Sequence, residues 1–101
     1  MGEFVLSPEA EAELDDAWIH IARDSGSIDV ATRVVEKISE RFWLLARYPF
    51  IGRQRDDLRS GLRSFAADQY VILYRVVEND LVFILHVVHG SRDMPALFGH
   101  P

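Results

Sequence analysis

The side chains best suited to chemistry in this chain are arginines. Arg53, Arg55, Arg59 and Arg63 lie in or just after a Gly-rich, charged segment, PFIGRQRDDLRSG, at residues 49–61; Arg75 falls inside an apolar run, and Arg92 follows the last such run. A guanidinium presents a planar fork of donors that matches carboxylates and phosphates. Clustered beside a sheet, such groups can stabilise the charge that develops in phosphoryl transfer, or hold RNA. Cleaving RNA also needs a positioned acid and base. His89, ahead of Gly90, is the candidate, which gives Arg63, Arg75, His89 and Arg92 as a weak catalytic alternative. The same arginines equally suit ion pairs with Asp56, Asp57 and Asp93, or docking onto an acidic partner. On that reading Arg53, Arg55, Arg59 and Arg92 are the target-contacting candidates.

Other chemistry is sparse. His86 and His89 are three apart in a β-type run and point to opposite faces, a poor metal pair. His20 and His100 are far away in sequence, and no carboxylate–histidine motif links them. His89 also suits a histidine that is merely hydrogen-bonded at a sheet edge. Glu9, Glu13 and Asp16, with Glu11 and Asp15 beside them, form an acidic stripe that reads as a solvated helix face rather than paired catalytic carboxylates. There is no nucleophile motif, phosphate loop or dinucleotide fingerprint, so neither cofactor nor metal is expected.

Length and charge narrow the field. A chain of 101 residues that is 49% hydrophobic fits one globular domain with one core. It has no cysteine, which rules out disulfides and thiolate metal sites and fits a reducing, cytoplasmic setting. The first residues lack the pattern of a signal peptide, and no apolar run is long enough to span a membrane. The net charge of −5 argues against the chain binding DNA by itself. The charge is segregated: residues 3–24 hold seven acids and one arginine, residues 41–63 six arginines and two aspartates.

Phe4-Val5-Leu6 reads as a short strand. Ser7 and Pro8 then form an N-cap and first helical residue. Ala10, Leu14, Ala17, Trp18 and Ile21 keep helical spacing, and Gly26 supplies a left-handed stop. A second helix is expected over residues 28–48, with Ser27 as cap, a stripe of Ala31, Val35, Ile38, Phe42 and Leu45, and Pro49 as terminator. Residues 49–61 read as loop. Strands follow at 62–67, 70–77 and 81–89, the last two turning on Asn79-Asp80, and residues 94–98 add a helical turn. The order is β-α-α-β-β-β: an α+β fold with an antiparallel sheet and a helical hairpin on one face.

The turn sets a register. It puts Tyr70, Ile72, Tyr74 and Val76 with Leu81, Phe83, Leu85 and Val87 on the core face, and Val71, Leu73, Arg75, Val77, Val82, Ile84, His86 and Val88 on the other. That second face is too apolar to be left in water. Either loops and the C-terminal segment cover it, or a partner lays a helix or strand there. With Ile19 opposite its helix stripe, and Trp18 and Trp43 on the helices, the partner-contacting candidates are Trp18, Ile19, Trp43, Val71, Leu73, Ile84, His86 and Val88.

Five segments together carry a family resemblance: LSPEAEAELDDAW at 6–18, LLARYPFIGR at 44–53, GLRSF at 61–65, YVILYRV at 70–76 and HVVHGSRD at 86–93. In this order they resemble the ParE toxins of the RelE/ParE superfamily, the toxin halves of type II toxin–antitoxin pairs. The resemblance implies a compact toxin neutralised by a ParD-like antitoxin, with a ribbon-helix-helix part and a toxin-wrapping tail. It implies poisoning of DNA gyrase rather than the mRNA cleavage of RelE toxins. RelE-type nucleases use basic residues with a tyrosine or histidine near the last strand; here lysine is nearly absent and Gly90 follows His89. The alternatives are a RelE-like endoribonuclease and a module that binds antitoxin without being toxic.

Overall fold

A computed structural model describes residues 2–99. His100 lies outside them. The elements are β1 (Phe4–Leu6), α1 (Pro8–Ser25), α2 (Ile28–Arg47), β2 (Arg53–Gln54), β3 (Leu62–Ala67), β4 (Tyr70–Val76), β5 (Val82–His89) and α3 (Met94–Leu97). The sheet order is β1-β5-β4-β3-β2, with β1 parallel to β5 and every other pair antiparallel. The fold is thus α+β, with a mixed five-stranded sheet and a helical hairpin.

The helices start and stop where their caps dictate. Ser7 accepts a hydrogen bond from the Ala10 N–H, and Gly26 ends α1 at φ 68°. Ser27 accepts from the Val30 N–H at the start of α2. Ser7 has a second task, since its hydroxyl donates to the Leu85 carbonyl (2.7 Å) while its backbone N–H donates to the Ile84 carbonyl (2.9 Å). One buried serine therefore caps α1 and fixes it to β5 just where β1 runs out. Ser7→Ala is expected to cost about 1–2 kcal/mol in urea titration, within the range for lost caps. Ser7→Asp should recover only part of that, because a carboxylate caps the helix but cannot donate to Leu85.

The core lies between the helices and one sheet face. Ile38, Phe42 and Leu45 of α2 and Ala10 and Ala17 of α1 meet Ile72, Tyr74, Val82, Ile84 and Val87. The expected register holds at the far end of the hairpin, where Ile72 pairs Val87 and Val71 pairs Val88, but it is one residue off near the turn. There Val76 pairs Val82 and Tyr74 pairs Ile84, with the irregularity between Leu73 and Tyr74. The turn is wider than two residues. The Val77 N–H donates to the Leu81 carbonyl, and Asn79 and Asp80 take φ of 60° and 57°. A bulge at Leu85 absorbs the extra residue. As a slip of one flips every side chain, Val82 and Ile84 turn into the helix-side core, and Phe83 shares the opposite face with Arg75.

The sheet's second face is closed from within over part of its extent. Leu58, from the loop after β2, packs with Phe98 onto Leu62, Leu73 and Val88, while Met94 and Leu97 of α3 lie against the same cluster. Along the row of paired residues nearest the hairpin turn, Leu62 is buried in that cluster, Phe83 is half-buried, and Arg75 and Val5 stay exposed. β2 falls in the stretch read as loop: two residues pairing with Ser64 and Arg63 leave no apolar alternation to recognise.

Candidate functional site

An open cleft of about 740 Å³ runs between α1 and the ends of β4 and β5, lined by His20, Asp24, Asp68, Tyr70 and His89 among others. It continues as a shallower trough of about 320 Å³ past Glu13, Asp16, Ser91 and Arg92. Glu13, Asp16, His20 and Asp24 recur every three or four residues of α1, so the acidic stripe forms one wall. His20 Nε2 sits 3.2 Å from the Asp24 carboxylate, and Lys37 Nζ 3.9 Å from that of Asp68.

Glu13 is the anchor of that wall. Its Oε1 accepts the Val87 N–H (2.9 Å), and its Oε2 lies 3.0 Å from His86 Nδ1. Beyond β1 the β5 edge would otherwise leave that N–H unpaired, so the carboxylate completes the sheet. Glu13→Ala is expected to lower stability by about 2 kcal/mol, the scale for a partly buried hydrogen bond to a charged group. Glu13→Gln, which keeps an acceptor for Val87, should lower it by less; chemical denaturation reads both.

The far wall is built by the end of β5. His89 Nδ1 accepts the Ser91 N–H (3.1 Å) and lies 2.8 Å from the Ser91 hydroxyl. That assigns the ring proton of neutral His89 to Nε2. Tyr70 stands edge-on to His89 with ring centroids 5.5 Å apart, and burial first, then the Asp24 charge, push its phenol above the ordinary value. The Tyr70 phenol therefore keeps its proton near neutral pH.

The four arginine and histidine positions of the catalytic alternative do not converge. His89 and Arg92 share the trough. Arg63 pairs with Tyr74, four residues along β4 from the Tyr70 that faces His89, roughly 13 Å by strand rise. Its Nη1 donates to the carbonyls of Phe50 (3.1 Å) and Gly52 (2.8 Å). Arg75 is on the opposite sheet face, beside Leu62 and Phe83. Among the described residues no group of three or more His, Cys, Asp or Glu is placed to hold a metal ion.

The other candidate residues separate just as clearly. Arg55 is tied to Asp57 by two hydrogen bonds of 3.0 Å, which raise its pKa and lower that of Asp57. Arg59 lies over the Phe98 ring at 4.9 Å. Arg53 is exposed on β2, and Arg92 is across the molecule in the trough. Of the partner-contacting set, Leu73 and Ile84 are fully buried and Val88 nearly so. The surplus apolar face expected there is interior: Ile84 belongs to the helix-side core, while Leu73 and Val88 lie under Leu58 and Phe98. Val71 is partly buried against the same cluster, and His86 is held between Glu13 and the Phe98 ring. Trp18 is half-buried, its Nε1 donating to Thr32 of α2 (3.1 Å). Ile19 and Trp43 are open, at 42% and 64% exposure.

The corner where α2 leads into β2 was not singled out by the sequence. Tyr48, Phe50 and Ile51 are exposed there on a tight turn closed by the Ile51 N–H to the Tyr48 carbonyl (3.2 Å). Pro49 at the second position of such a turn was the available signal.

The fold and these surfaces define a small α+β protein with a mixed five-stranded sheet, in which Arg63, Arg75, His89 and Arg92 do not converge on one site. Comparison sharpens this. Residues 4–94 match the family model for the ParE toxin of the type II toxin–antitoxin system, parDE. Toxin ParE3 of Caulobacter vibrioides is 31% identical over 98% of this chain and 97% of its own, and Toxin ParE1 of Mycobacterium tuberculosis 29% over 90% and 92%. A solved chromosomal ParDE system from P. aeruginosa shares the fold with a TM-score of 0.75 at 22% identity, covering 88% of this chain and 96% of that one. The RelBE2 toxin–antitoxin complex of M. tuberculosis does so at 0.59 and 24%, covering 87% and 96%. The chain belongs to the ParE toxin family of type II toxin–antitoxin systems. No helix among the described residues is long and apolar enough to cross a membrane.

Proposed function

We propose that this chain is the toxin of a type II pair, neutralised by a ParD-like antitoxin, and that it acts by binding and poisoning DNA gyrase. The family match over residues 4–94 supports the toxin role. The observation that carries the choice of mechanism is the scatter of Arg63, Arg75, His89 and Arg92 over both sheet faces, which is hard to reconcile with one nuclease site.

The acidic wall of the cleft suits basic side chains of the antitoxin, and Ile19 and Trp43 offer it apolar contact. Leu73, Ile84 and Val88 are buried and offer it no exposed surface. Purified chain is expected to block gyrase supercoiling or trap cleaved DNA, with relief by antitoxin. Full supercoiling at saturating chain would overturn the gyrase reading. New transcript ends after induction would instead support an endoribonuclease.

A further inference from the structure

The turn at residues 48–52 is exposed, apolar and held unusually firmly. Tyr48, Phe50 and Ile51 are 48%, 58% and 46% exposed on successive positions of one tight turn. Such side chains in a flexible loop would fold back or be replaced by polar ones. Here the backbone between them is clamped from the sheet. The Tyr74 hydroxyl, on a fully buried residue, donates to the Pro49 carbonyl (2.8 Å) and accepts the Gly52 N–H (2.9 Å). Arg63 donates to the Phe50 and Gly52 carbonyls and lays its guanidinium over the Phe50 ring at 5.2 Å. The turn therefore presents its apolar side chains in one fixed geometry, with little ordering entropy left to lose on association.

The charge around it is mostly positive, with Asp57 the acid whose carboxylate also feels Arg53. Residues 41–55 hold four arginines and no acid, in a chain of net charge −5. Arg55 is occupied by Asp57, but Arg47 and Arg53, on either side of the turn, are in no ion pair among the described residues. Arg47 lies over the Tyr48 ring at 5.6 Å. Aromatic and arginine side chains gathered on a rigid element are the composition of an interface centre. A stacked nucleic acid fits less well, because Arg63 already covers the Phe50 ring, Ile51 offers no stacking surface, and the chain as a whole is acidic.

We infer that the 48–52 turn, with Arg47 and Arg53 at its rim, is the surface through which the chain engages its protein target, and that the target presents an apolar pocket edged by carboxylates. This rests on the toxin reading above and deepens it. The test is association of the full chain with purified DNA gyrase, using Phe50→Ser with Ile51→Ser, and separately Arg47→Glu with Arg53→Glu. All four side chains are at the surface, so melting temperature should fall by no more than a few degrees, the share of the Arg63 contact with the Phe50 ring. Each pair should weaken association at least about tenfold, as expected for interface-centre residues.

Unchanged association in both variants would overturn the inference and leave the gyrase reading intact. If the wild-type chain does not bind gyrase, that reading fails, and the turn is judged by growth arrest on induction. Arrest lost in the Phe50/Ile51 variant at equal protein level would support the turn. Arrest kept by that variant, or absent in the wild type, would overturn it. So would tight oligonucleotide binding by the wild type that disappears together with arrest in the variant.

Discussion

Phe98→Ala is expected to lower stability by about 3 kcal/mol, at the low end for truncating a core phenylalanine. The residue is near the chain end and only 9% exposed. It packs with Leu58 over Leu62, Leu73 and Val88, meets His86 edge-on with ring centroids 5.7 Å apart, and carries Arg59 on its outer face. Truncation removes the keystone of the cover and returns Leu73 and Val88 to water. For a domain of this size the loss corresponds to a fall in Tm of roughly 12–24 °C. Binding of a hydrophobic dye should rise in parallel. Arg59→Ala, which removes only the cation over the ring, should cost about 0.5–1 kcal/mol.

The outcome separates two accounts of the second sheet face. A large cost means that the C-terminal segment is part of the core and the face is not offered to a partner. A cost below about 1 kcal/mol, with no added dye binding, would mean a loosely held strap over a face that an antitoxin segment could take, and the burial argument would then fail.

This face also shows what was and was not legible in the sequence. Local signals were sufficient where one residue decides the backbone. Ser7-Pro8, Gly26, Ser27 and Pro49 bound the helices where they are found, and β3 was expected over the residues it occupies. The order of elements followed from apolar spacing except for β2, which has none. The register near the 78–80 turn did not, because a two-residue turn and a wider one with a compensating bulge share the same Asn-Asp signal. That one-residue difference reversed the faces of Val82, Ile84 and Phe83. Together with the cover supplied by Leu58 and Phe98, it removed the apolar surplus that had pointed to a partner.

The arginines were recognisable as important, but their tasks depend on tertiary placement. Arg55 serves Asp57, Arg59 serves Phe98, and Arg63 serves two carbonyls. Arg47 and Arg53 are in no ion pair among the described residues, although Arg47 lies over the Tyr48 ring. The cleft was illegible for the same reason. His20 and Asp24 share a helix face and Tyr70 and His89 pair across a hairpin, but only the packing of α1 on the sheet brings the two pairs together.

Gly52→Ala should be comparably damaging and should act on the exposed turn as well as on the core. A Cβ on Gly52 would stand 2.3 Å from the Tyr74 hydroxyl oxygen and 2.6–2.8 Å from the ring carbons behind it. Tyr74 is fully buried, so its ring has nowhere to go. The added carbon must push the turn outward, breaking the bonds to Pro49 and Gly52 and loosening the grip of Arg63. Overpacking costs about 1–3 kcal/mol and the two lost hydrogen bonds about 1 kcal/mol each, so a total of about 3–5 kcal/mol is expected.

Tyr74→Phe removes the two bonds without the clash and should cost about 2 kcal/mol. Because both changes dismantle one clamp, the double variant should lose less than the sum. Additive losses in a denaturant series would show that Tyr74 and the turn are independent. The phenol supplies a separate check in pH. Burial, the largest influence, holds the Tyr74 pKa above its ordinary value of 10.0 in the folded chain. The unfolded chain therefore releases that proton at lower pH than the folded one. The stability tied to this group is complete below about pH 10 and is lost as pH rises through the folded value. Tyr74→Phe should flatten that alkaline decline. It should also weaken target association if the clamp is what presents Phe50 and Ile51, while Gly52→Ala, which displaces the turn itself, should weaken it further.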